Sequence, residues 1–287
     1  MSDLERKAIE RLKLAAEMSE TYYNAPLIVT TSGGKDSDVC IALARAADIN
    51  FEVQHNHTSV DAPETVRHVR EQFKRLELDG IKCTINWPMY KGQPVTMWTL
   101  IPQKLMPPTR IVRYCCAVLK EGGGAGRMIT TGVRWSESAN RRKTRGTYEV
   151  PAKRASDNFM LNNDNDARRR WMEHCSLQAK RICNPIVDWT DAEVWDYIQC
   201  EKIPMNPLYS CGFRRVGCIG CPMAQKKRNM QFARYPTYYQ AYLRAFEQML
   251  ILRRAKGYED RWASAEDVMH WWMQDGVLPG QMEMKGV

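Results

Sequence analysis

A hexapeptide near the N-terminus, residues 32–37, has the composition of a phosphate-binding turn. Its sequence, SGGKDS, follows an apolar run at 27–31 and precedes a helical pattern that reaches about residue 47. Glycine lets backbone N–H groups approach a phosphate closely, and a helix N-terminus favours negative charge. Lys35 adds a cation, and Ser32 and Ser37 add hydroxyl donors. The spacing therefore predicts a nucleotide-binding loop, with a ligand-free turn between a strand and a helix as the alternative.

Five of the ten cysteines form a second group of residues that could do chemistry, at positions 115, 116, 211, 218 and 221. A C-x6-C-x2-C spacing is typical of a metal site, because a short loop lets two thiolates face one metal centre. Three cysteines need a fourth ligand, and the adjacent pair can supply it. Four thiolates suit either a [4Fe–4S] cluster or zinc. We predict Cys116, Cys211, Cys218 and Cys221 as ligands, with Cys115 as the alternative to one of them.

A third candidate is a charged stretch that follows the strand pattern at 128–133. Arg134 is predicted to leave the carboxyl end of this strand, where its guanidinium can bind phosphate or sulfate bidentately. Glu137 could orient Arg134 or a metal-bound water, and Arg141 adds a further cation. A solvated charged loop is the alternative interpretation.

Alternating strand and helix patterns are expected to position these residues. Strand patterns at 26–31, 51–56, 82–86 and 128–133 are separated by helical ones, which predicts an α/β fold with a doubly wound, mostly parallel sheet. Ligands bind such sheets at the carboxyl ends of the strands. Residues 145–180 lack a pattern and are predicted to form a long loop. We predict an N-terminal helix (1–24), a nucleotide-binding domain (25–200) and a helical, cysteine-bearing part (201–287).

Composition limits the classes of protein that this chain could represent. The 287 residues are 44% hydrophobic and 26% charged, as in ordinary globular proteins, and the apolar runs are too short to cross a bilayer. The charged N-terminus lacks the core of a signal peptide, and ten cysteines without a disulfide pattern suit a reducing compartment. We expect a cytoplasmic protein without a membrane partner.

The net charge of +9 is unevenly distributed along the chain. Residues 212–234 contain six lysines and arginines and no acidic residue. This pattern is compatible with solubility and nucleotide binding alone, and also with a nucleic-acid surface. Charge does not separate the two interpretations.

The hexapeptide resembles the PP-loop of the ATP pyrophosphatase family. This family includes the adenylyl-sulfate and phosphoadenylyl-sulfate (APS and PAPS) reductases and the nucleic-acid thiolation enzymes. Further stretches resemble the reductase-like branch in the same order, over roughly residues 25–225. They are Ala62-Pro63-Glu64-Thr65, the pair Cys115-Cys116 with Lys120, Gly132-x-Arg134 with Glu137 and Arg141, and the helix-forming stretch at 185–198.

The resemblance implies a fold similar to that of the adenine nucleotide α-hydrolases, and it implies roles for individual residues. ATP, or PAPS or APS, would be held with magnesium, and a [4Fe–4S] cluster is favoured over zinc. The APS reductase pattern would use Cys115 and Cys116 together with Cys218 and Cys221 as ligands. Catalytic roles fall to Lys35, Asp36, Arg134 and Glu137; nucleotide contacts fall to Ser32, Gly33, Gly34, Lys35, Asp36, Ser37, His57, Thr58, Glu64, Gly132, Arg134 and Arg141.

One departure from the family decides which function we expect. The thioredoxin-dependent reductases use a cysteine near the C-terminus as nucleophile, and the sequence has no cysteine after Cys221. The leading hypothesis is therefore an ATP pyrophosphatase that adenylates a nucleic acid, DNA or tRNA, for sulfur incorporation, with a cysteine desulfurase or another protein as partner. The alternatives are an atypical APS or PAPS reductase that uses an external thiol, and a non-catalytic subunit that binds nucleotide and cluster.

Overall fold

The computed structural model describes residues 2–151, 159–162, 180–259 and 261–274. The chain forms two compact units, each built from several segments. The first, called the sheet unit, consists of Met1–Asn56, Pro63–Asn86 and Gly123–Val216. The second, called the cysteine unit, consists of His57–Ala62, Trp87–Gly122 and Gly217–Val287. The domain limits predicted at residues 24 and 200 stay a prediction.

The described part of the chain contains nine strands, seven of which form the central sheet of the sheet unit. The sheet order is β3-β2-β1-β6-β9-β7-β8, while β4 and β5 pair as a short hairpin in the cysteine unit. The strands are β1 (Leu27–Thr31), β2 (Phe51–Asn56), β3 (Cys83–Asn86), β4 (Met89–Tyr90), β5 (Gln93–Pro94), β6 (Met128–Thr130), β7 (Tyr148–Val150), β8 (Phe159–Leu161) and β9 (Arg181–Cys183).

The described helices surround this sheet or form the cysteine unit. They are α1 (Asp3–Tyr23), α2 (Lys35–Ala46), α3 (Pro63–Leu78), α4 (Met97–Lys104), α5 (Ala139–Thr144), α6 (Asp191–Cys200), α7 (Lys227–Arg234), α8 (Pro236–Ala255) and α9 (Ala265–Met273), with one π-helical turn at Cys116–Lys120. No described helix combines the length and the hydropathy that spanning a bilayer requires.

The sheet confirms the predicted α/β class, because five neighbouring strands, β3, β2, β1, β6 and β9, are parallel. The prediction of a continuous loop over 145–180 is wrong for β7 and β8, which pair antiparallel at the edge of the sheet. Each has only three residues, so its alternation is too short to be recognised in the sequence. Residues 152–158 and 163–179 of the predicted loop lie outside the described residues.

The order of the strands determines where a ligand site can form in the sheet unit. β2 and β3 extend the sheet on one side of β1, whereas β6 and β9 extend it on the other. Strand order therefore reverses between β1 and β6, and ligand crevices of α/β proteins form outside the carboxyl ends of strands at such a point. The hexapeptide 32–37 follows β1, and Arg134 follows β6.

Both faces of the sheet carry apolar residues in register. Leu27 and Val29 belong to the main core, which includes the buried residues of α1 and α2. Ile28, Ile129 and Ile182 are aligned across β1, β6 and β9 and form a smaller cluster. Because side chains alternate along a strand, these two sets lie on opposite faces. Burial on both faces fixes the register of the strands that carry the loops.

The cysteine unit is organised around α8, which contacts α4, α7 and α9. Trp272 of α9 is 1% exposed and packs its ring against Tyr242 and Phe246 of α8. Its indole N–H donates to the carbonyl of Pro108 at 2.6 Å. The buried Arg228 of α7 donates to the Trp272 carbonyl at 2.9 Å. These aromatic residues are core, so they provide a rigid support for the loops that carry the cysteines.

Candidate functional site

The loop after β1 is held in a fixed shape by hydroxyl groups of the sheet unit. Ser37 Oγ donates to the Gly34 carbonyl at 2.7 Å and accepts from the Ser32 amide at 3.3 Å. The Gly33 amide donates to Thr31 Oγ1 at 3.2 Å. Ser37 therefore stabilises the turn, while the side chain of Ser32 is exposed at its surface. Helix α2 begins immediately after Gly34, so its N-terminal amides face the turn.

Two glycines allow this loop to approach its neighbours closely. Gly33 has φ +69°, and a Cβ there would lie 2.8 Å from Thr65 Cγ2 and 2.9 Å from Val69 Cγ2. At Gly132, after β6, a Cβ would lie 2.8 Å from the backbone carbon of Asp36. Gly132 thus contributes through the absence of a side chain, which lets the segment that carries Arg134 pass against the first turn of α2.

Lys35 and Arg134 lie side by side and share two carboxylates. Lys35 Nζ lies 3.0 Å from Asp36 Oδ1 and 2.7 Å from Asp191 Oδ1. Arg134 donates from Nε to Asp36 at 2.8 Å and from Nη2 to Asp191 at 2.8 Å. The two cationic side chains are 5% and 3% exposed, so their charges act in a medium of low polarity. These four residues belong to segments that follow three neighbouring strands of the sheet, β1, β6 and β9.

The predicted orientation of Arg134 by Glu137 differs from the observed contacts. Glu137 accepts from the Arg134 backbone amide at 3.3 Å and pairs with the side chain of Arg141. Ser136 Oγ accepts from Arg134 Nη1 at 2.9 Å. Glu137 therefore shapes the loop after β6, whereas Asp36, Asp191 and Ser136 orient the guanidinium.

Arg141 lies in a locally cationic environment. Burial lowers the pKa of Arg141 to about 10, and the nearby charges of Arg215 and Arg145 act in the same direction. Arg215 is 72% exposed and lies 3.8 Å from Glu137 Oε2. Crowded arginines of this kind favour binding of an anion, because an anion relieves their mutual repulsion.

Three of the residues predicted to contact the nucleotide, His57, Thr58 and Glu64, do not share one unit. Glu64 lies in the first turn of α3 in the sheet unit. His57 and Thr58 belong to the cysteine unit, where His57 packs against Trp87 with ring centroids 4.5 Å apart. Thr58 Oγ1 accepts from the Val60 amide and lies 3.7 Å from Cys218 Sγ. Their nucleotide contacts stay a prediction.

Four of the five candidate cysteines lie in the cysteine unit. Cys115 and Cys116 are at the start of the π-helical turn, and Cys218 and Cys221 are in the turn before α7. The neighbours that affect the charge of Cys115 include the other three thiols, so the four form one group. Cys211 belongs to the sheet unit and is exposed. The predicted set with Cys211 stays a prediction, and the grouping favours the alternative set with Cys115.

The turn that carries Cys218 and Cys221 is supported by buried contacts. Gly220 has φ +74°, and a Cβ there would lie 2.7 Å from Phe232 and 2.8 Å from Tyr242. The Tyr242 hydroxyl donates to the Ile219 carbonyl at 3.0 Å. The Gly220 amide donates to Gln231 Oε1 at 3.0 Å. Side chains of α7 and α8 therefore fix the spacing between the two thiols.

Cations lie beside these thiols. Arg113 Nη2 is 3.1 Å from Cys116 Sγ. The hydrogen bond from Cys115, together with Arg113 and Lys120, lowers the pKa of Cys116 to about 6, against the opposing effect of burial. The charge of Cys218 raises the pKa of Lys120 above its usual value. The environment therefore favours the thiolate of Cys116, which is the form that binds metal. In contrast, the hydrogen bond with Cys116 together with burial raises the pKa of Cys115, and burial raises the pKa of Cys218.

The chemistry of the four thiols limits the kind of metal centre that would fit. Four cysteine thiolates can hold a single zinc ion or an iron–sulfur cluster. The donor set therefore fits both the predicted [4Fe–4S] cluster and its alternative, zinc.

Two residues at the phosphate loop were not identified from the sequence. Thr190 is the N-cap of α6, and Asp191, the first residue of that helix, reaches Lys35 and Arg134. The Tyr209 hydroxyl accepts from the Lys35 amide at 2.9 Å. An acidic residue shortly after a strand of the parallel sheet was the available signal for Asp191, while no sequence pattern indicated Tyr209.

Comparison with known proteins identifies relatives over most of the chain. An uncharacterized protein of Methanocaldococcus jannaschii is 27% identical over 99% of this chain and 60% of its own length, and a second one from the same organism is matched over 40% of its length. The chain therefore spans only part of these relatives. The adenosine 5'-phosphosulfate reductase of Lysinibacillus sphaericus is 23% identical over 77% of this chain and 82% of its own length.

Solved structures also show a likeness. A phosphoadenylyl-sulfate reductase from Candida auris matches 76% of this chain and 96% of its own, with 17% identity and a TM-score of 0.45. The U34-tRNA thiolase NcsA from Methanococcus maripaludis, described with its [4Fe-4S] cluster, matches 96% and 89%, with 11% identity and a TM-score of 0.40. Neither score is high enough to support a functional argument.

The decisive match is to a family model. The phosphoadenosine phosphosulfate reductase domain matches residues 26–224, which include the phosphate loop and all five candidate cysteines. This is well over half of the chain, and it agrees with the resemblance of the ordered stretches described above. The chain belongs to the phosphoadenosine phosphosulfate reductase family.

Proposed function

We propose that this protein is an ATP pyrophosphatase that adenylates an oxygen atom of a nucleic acid so that sulfur can replace it. The observation that carries the proposal is the meeting of Lys35, Arg134 and the N-terminus of α2 at the carboxyl edge of the sheet. Two buried cations and a row of backbone amides are suited to a polyphosphate. The family match supports an enzyme that acts on nucleotides.

The proposed reaction has two displacements. An acceptor oxygen attacks the α-phosphorus of ATP, a new P–O bond forms, and the α–β phosphoanhydride bond breaks with release of pyrophosphate. A sulfide-level sulfur nucleophile from a donor then attacks the activated atom of the acceptor and displaces AMP. Lys35 and the loop amides would hold the departing pyrophosphate, and Arg134 would neutralise charge on the transferred phosphate.

Magnesium fits the chemistry of this donor set. Asp36 offers a partly exposed carboxylate beside the loop, and magnesium commonly binds through one or two carboxylates together with substrate phosphates. When bound, the ion would supply charge neutralisation on the phosphates. Ser32, exposed at the surface of the turn, offers a hydroxyl to the same ligand.

Cys115, Cys116, Cys218 and Cys221 would hold a [4Fe–4S] cluster in the cysteine unit. When bound, the cluster would supply a site for binding or relaying sulfur. Arg113 and Lys120 lie beside the thiols and would offset the negative charge of thiolate ligands. A cysteine desulfurase or another sulfur-carrying protein is the proposed source of the sulfur. Because such a protein carries the sulfur as a persulfide, two equivalents of an external thiol would release it as sulfide and be oxidised to a disulfide.

A nucleic-acid acceptor is supported by basic residues around the loop after β6. Helix α5 presents Arg142 and Lys143 to solvent, and Arg215 is 72% exposed. Exposed arginines and lysines of this kind bind the phosphates of a nucleic-acid backbone without reading its sequence. The acceptor class, DNA or tRNA, is therefore left to the experiment.

A second candidate function is an atypical reductase of APS or PAPS that uses an external thiol. It is favoured by the relative named adenosine 5'-phosphosulfate reductase, which the chain matches over 82% of that protein's length. Under this alternative, Arg134 and Lys35 would bind the phosphosulfate and its sulfur would leave as sulfite.

The experiment compares the two reactions with the same anaerobically purified protein. Pyrophosphate release is measured from ATP and magnesium alone, with DNA and with tRNA, and sulfite release is measured from APS and PAPS with a dithiol. We expect pyrophosphate release that one nucleic acid stimulates and no sulfite above background. Sulfite release without any pyrophosphate release would contradict the proposal and establish the reductase.

A further inference from the structure

The donors of the phosphate loop are already occupied by groups of the protein itself. Asp191 Oδ1 accepts from both Lys35 Nζ and Arg134 Nη2, at 2.7 and 2.8 Å. The Tyr209 hydroxyl accepts from the Lys35 amide at 2.9 Å. These three donors are the ones that a bound polyphosphate would require.

We infer that Asp191 and Tyr209 compete with a polyphosphate for the donors of the phosphate loop and are displaced when a polyphosphate binds. A carboxylate and a phenol oxygen present the same acceptor chemistry as phosphate oxygens. Both come from the stretch after β9, and both lie in the sheet unit with the loop. The inference rests on the part of the proposed function that assigns pyrophosphate binding to this loop.

Asp191 is placed so that it can leave the subsite without unfolding its helix. Its side chain is 64% exposed, whereas those of Lys35 and Arg134 are 5% and 3% exposed. It is the first residue of α6, so water and the helix N-terminus stabilise its charge after it rotates away. Burial would raise the pKa of Asp191, but Lys35 and Arg134 outweigh this effect and keep it below the usual value.

Buried contacts hold the segment that carries Tyr209 against the loop. Asn206 is fully buried and donates to the Gly33 carbonyl at 2.8 Å and to Thr65 Oγ1 at 3.0 Å. Its own side-chain oxygen accepts from the Leu208 amide at 3.1 Å. The Tyr209 ring packs edge-on against Trp195, with centroids 5.2 Å apart. These contacts aim the hydroxyl at the first amide of α2.

Every ligand of this loop must therefore displace contacts that the loop already makes. A polyphosphate must replace the bonds that Asp191 and Tyr209 make, so removing either acceptor should increase affinity. If these residues instead helped to bind the ligand, the same changes would decrease affinity. The sign of the change therefore separates occupation of the subsite from participation in binding.

The test uses inorganic pyrophosphate as the probe and isothermal titration calorimetry on the full chain. We expect Asp191→Asn to bind pyrophosphate about tenfold more tightly than the wild type, as loss of one charge-assisted competitor implies. Asp196→Asn, an exposed neutralisation on the same helix, should change the affinity by less than about twofold because its charge acts through water. Tyr209→Phe should also bind more tightly, with Tyr197→Phe of α6 as its matched control.

Each outcome has a defined meaning. Asp191→Asn binding no more tightly than Asp196→Asn, or Tyr209→Phe binding more weakly than the wild type, would overturn the inference. If Lys35→Ala abolishes binding while Asp191→Asn gains nothing, the phosphate site of the proposed function stands and the inference alone fails. If pyrophosphate binds to neither the wild type nor Asp191→Asn, both fail.

Discussion

The sheet unit and the cysteine unit contain candidate sites that balance charge in opposite ways. In the sheet unit, Lys35 and Arg134 are paired with Asp36 and Asp191, so two positive and two negative charges balance. In the cysteine unit, Arg113 and Lys120 lie beside thiols that carry charge only when deprotonated. A ligand of the first site must exchange with protein groups that already pair with the two cations, whereas a metal centre in the second would bind the thiols directly.

The two sites also differ in how far apart in the sequence the residues that fix their shape lie. The phosphate loop is continuous in sequence, and its shape is fixed by Ser37 and Gly33 within a few residues. The cysteine group combines two distant segments, and helices α7 and α8 fix its geometry through Gln231 and Tyr242. A substitution in the first site should therefore disturb only the loop, whereas a substitution in the second should also disturb the packing of α7 and α8.

The largest expected effect concerns the metal centre. Cys218→Ser should reduce iron from about four atoms per chain to less than about one, because a cluster loses one of its four thiolate ligands. Cys211→Ser is the matched control and should keep its iron, since the proposed cluster is held by the other four cysteines. Iron analysis and visible absorbance of anaerobically purified protein measure both variants. Iron loss from both Cys211→Ser and Cys218→Ser would restore the set predicted from sequence.

The next effect concerns the phosphate loop. Lys35→Ala should reduce pyrophosphate release from ATP by about 100-fold, a typical loss when one buried charge-stabilising donor is removed. Lys13→Ala replaces an exposed lysine of α1 and should keep the full rate. Steady-state pyrophosphate assays measure the two variants side by side. A Lys35→Ala variant with the rate of the wild type would remove this residue from the catalytic group.

Glycine-to-alanine substitutions compare how closely neighbouring atoms pack against the backbone of the two sites. Gly33→Ala and Gly220→Ala should each lower the free energy of unfolding by about 3 kcal/mol, because a Cβ meets left-handed backbone strain and close contacts together. Gly80→Ala is the control: its φ is +79° and its Cβ would meet nothing within 4 Å. It should cost about 1 kcal/mol from strain alone. Urea unfolding measures the difference, and equal losses at all three positions would show that packing contributes nothing.

The smallest effect concerns helix capping in each unit. Thr190 caps α6 in the sheet unit and Ser264 caps α9 in the cysteine unit, each through a capping box. Replacing either by Ala should cost about 1 kcal/mol of unfolding free energy. Of the two, only Thr190→Ala should also change pyrophosphate affinity, because Asp191 follows it directly. A change in affinity with Ser264→Ala would contradict this distinction.

Local patterns carried much of the information about the fold. The apolar run of β1, the strand patterns of β2 and β3 and the N-terminal helix α1 were recognisable in the sequence, and they predicted the class of fold. Strands β7 and β8 were missed because three residues give too little alternation. Their place in the sheet comes from pairing with β9, which is a tertiary interaction.

The site was predictable where function depends on contiguous residues. The phosphate loop and Arg134 are marked by their own neighbours, whereas the contacts of Asp191 and Tyr209 arise only when the stretch after β9 folds onto the loop. The choice among cysteines also required three dimensions. C-x6-C-x2-C spacing groups Cys211 with Cys218 and Cys221, whereas the folded chain brings Cys218 and Cys221 near Cys115 and Cys116. The ligand set with Cys211 stays a prediction.

Transfer of label from ATP tests the central claim most directly. Anaerobic protein would be incubated with magnesium, [α-³²P]ATP and DNA or tRNA, without a sulfur donor, so that the second displacement cannot occur. Adenylation predicts that ³²P becomes attached to one class of nucleic acid, with an equal amount of pyrophosphate released, and that Lys35→Ala slows both about 100-fold. Unlabelled nucleic acid, together with sulfite release from APS or PAPS by the same preparation, would contradict adenylation and establish a reductase.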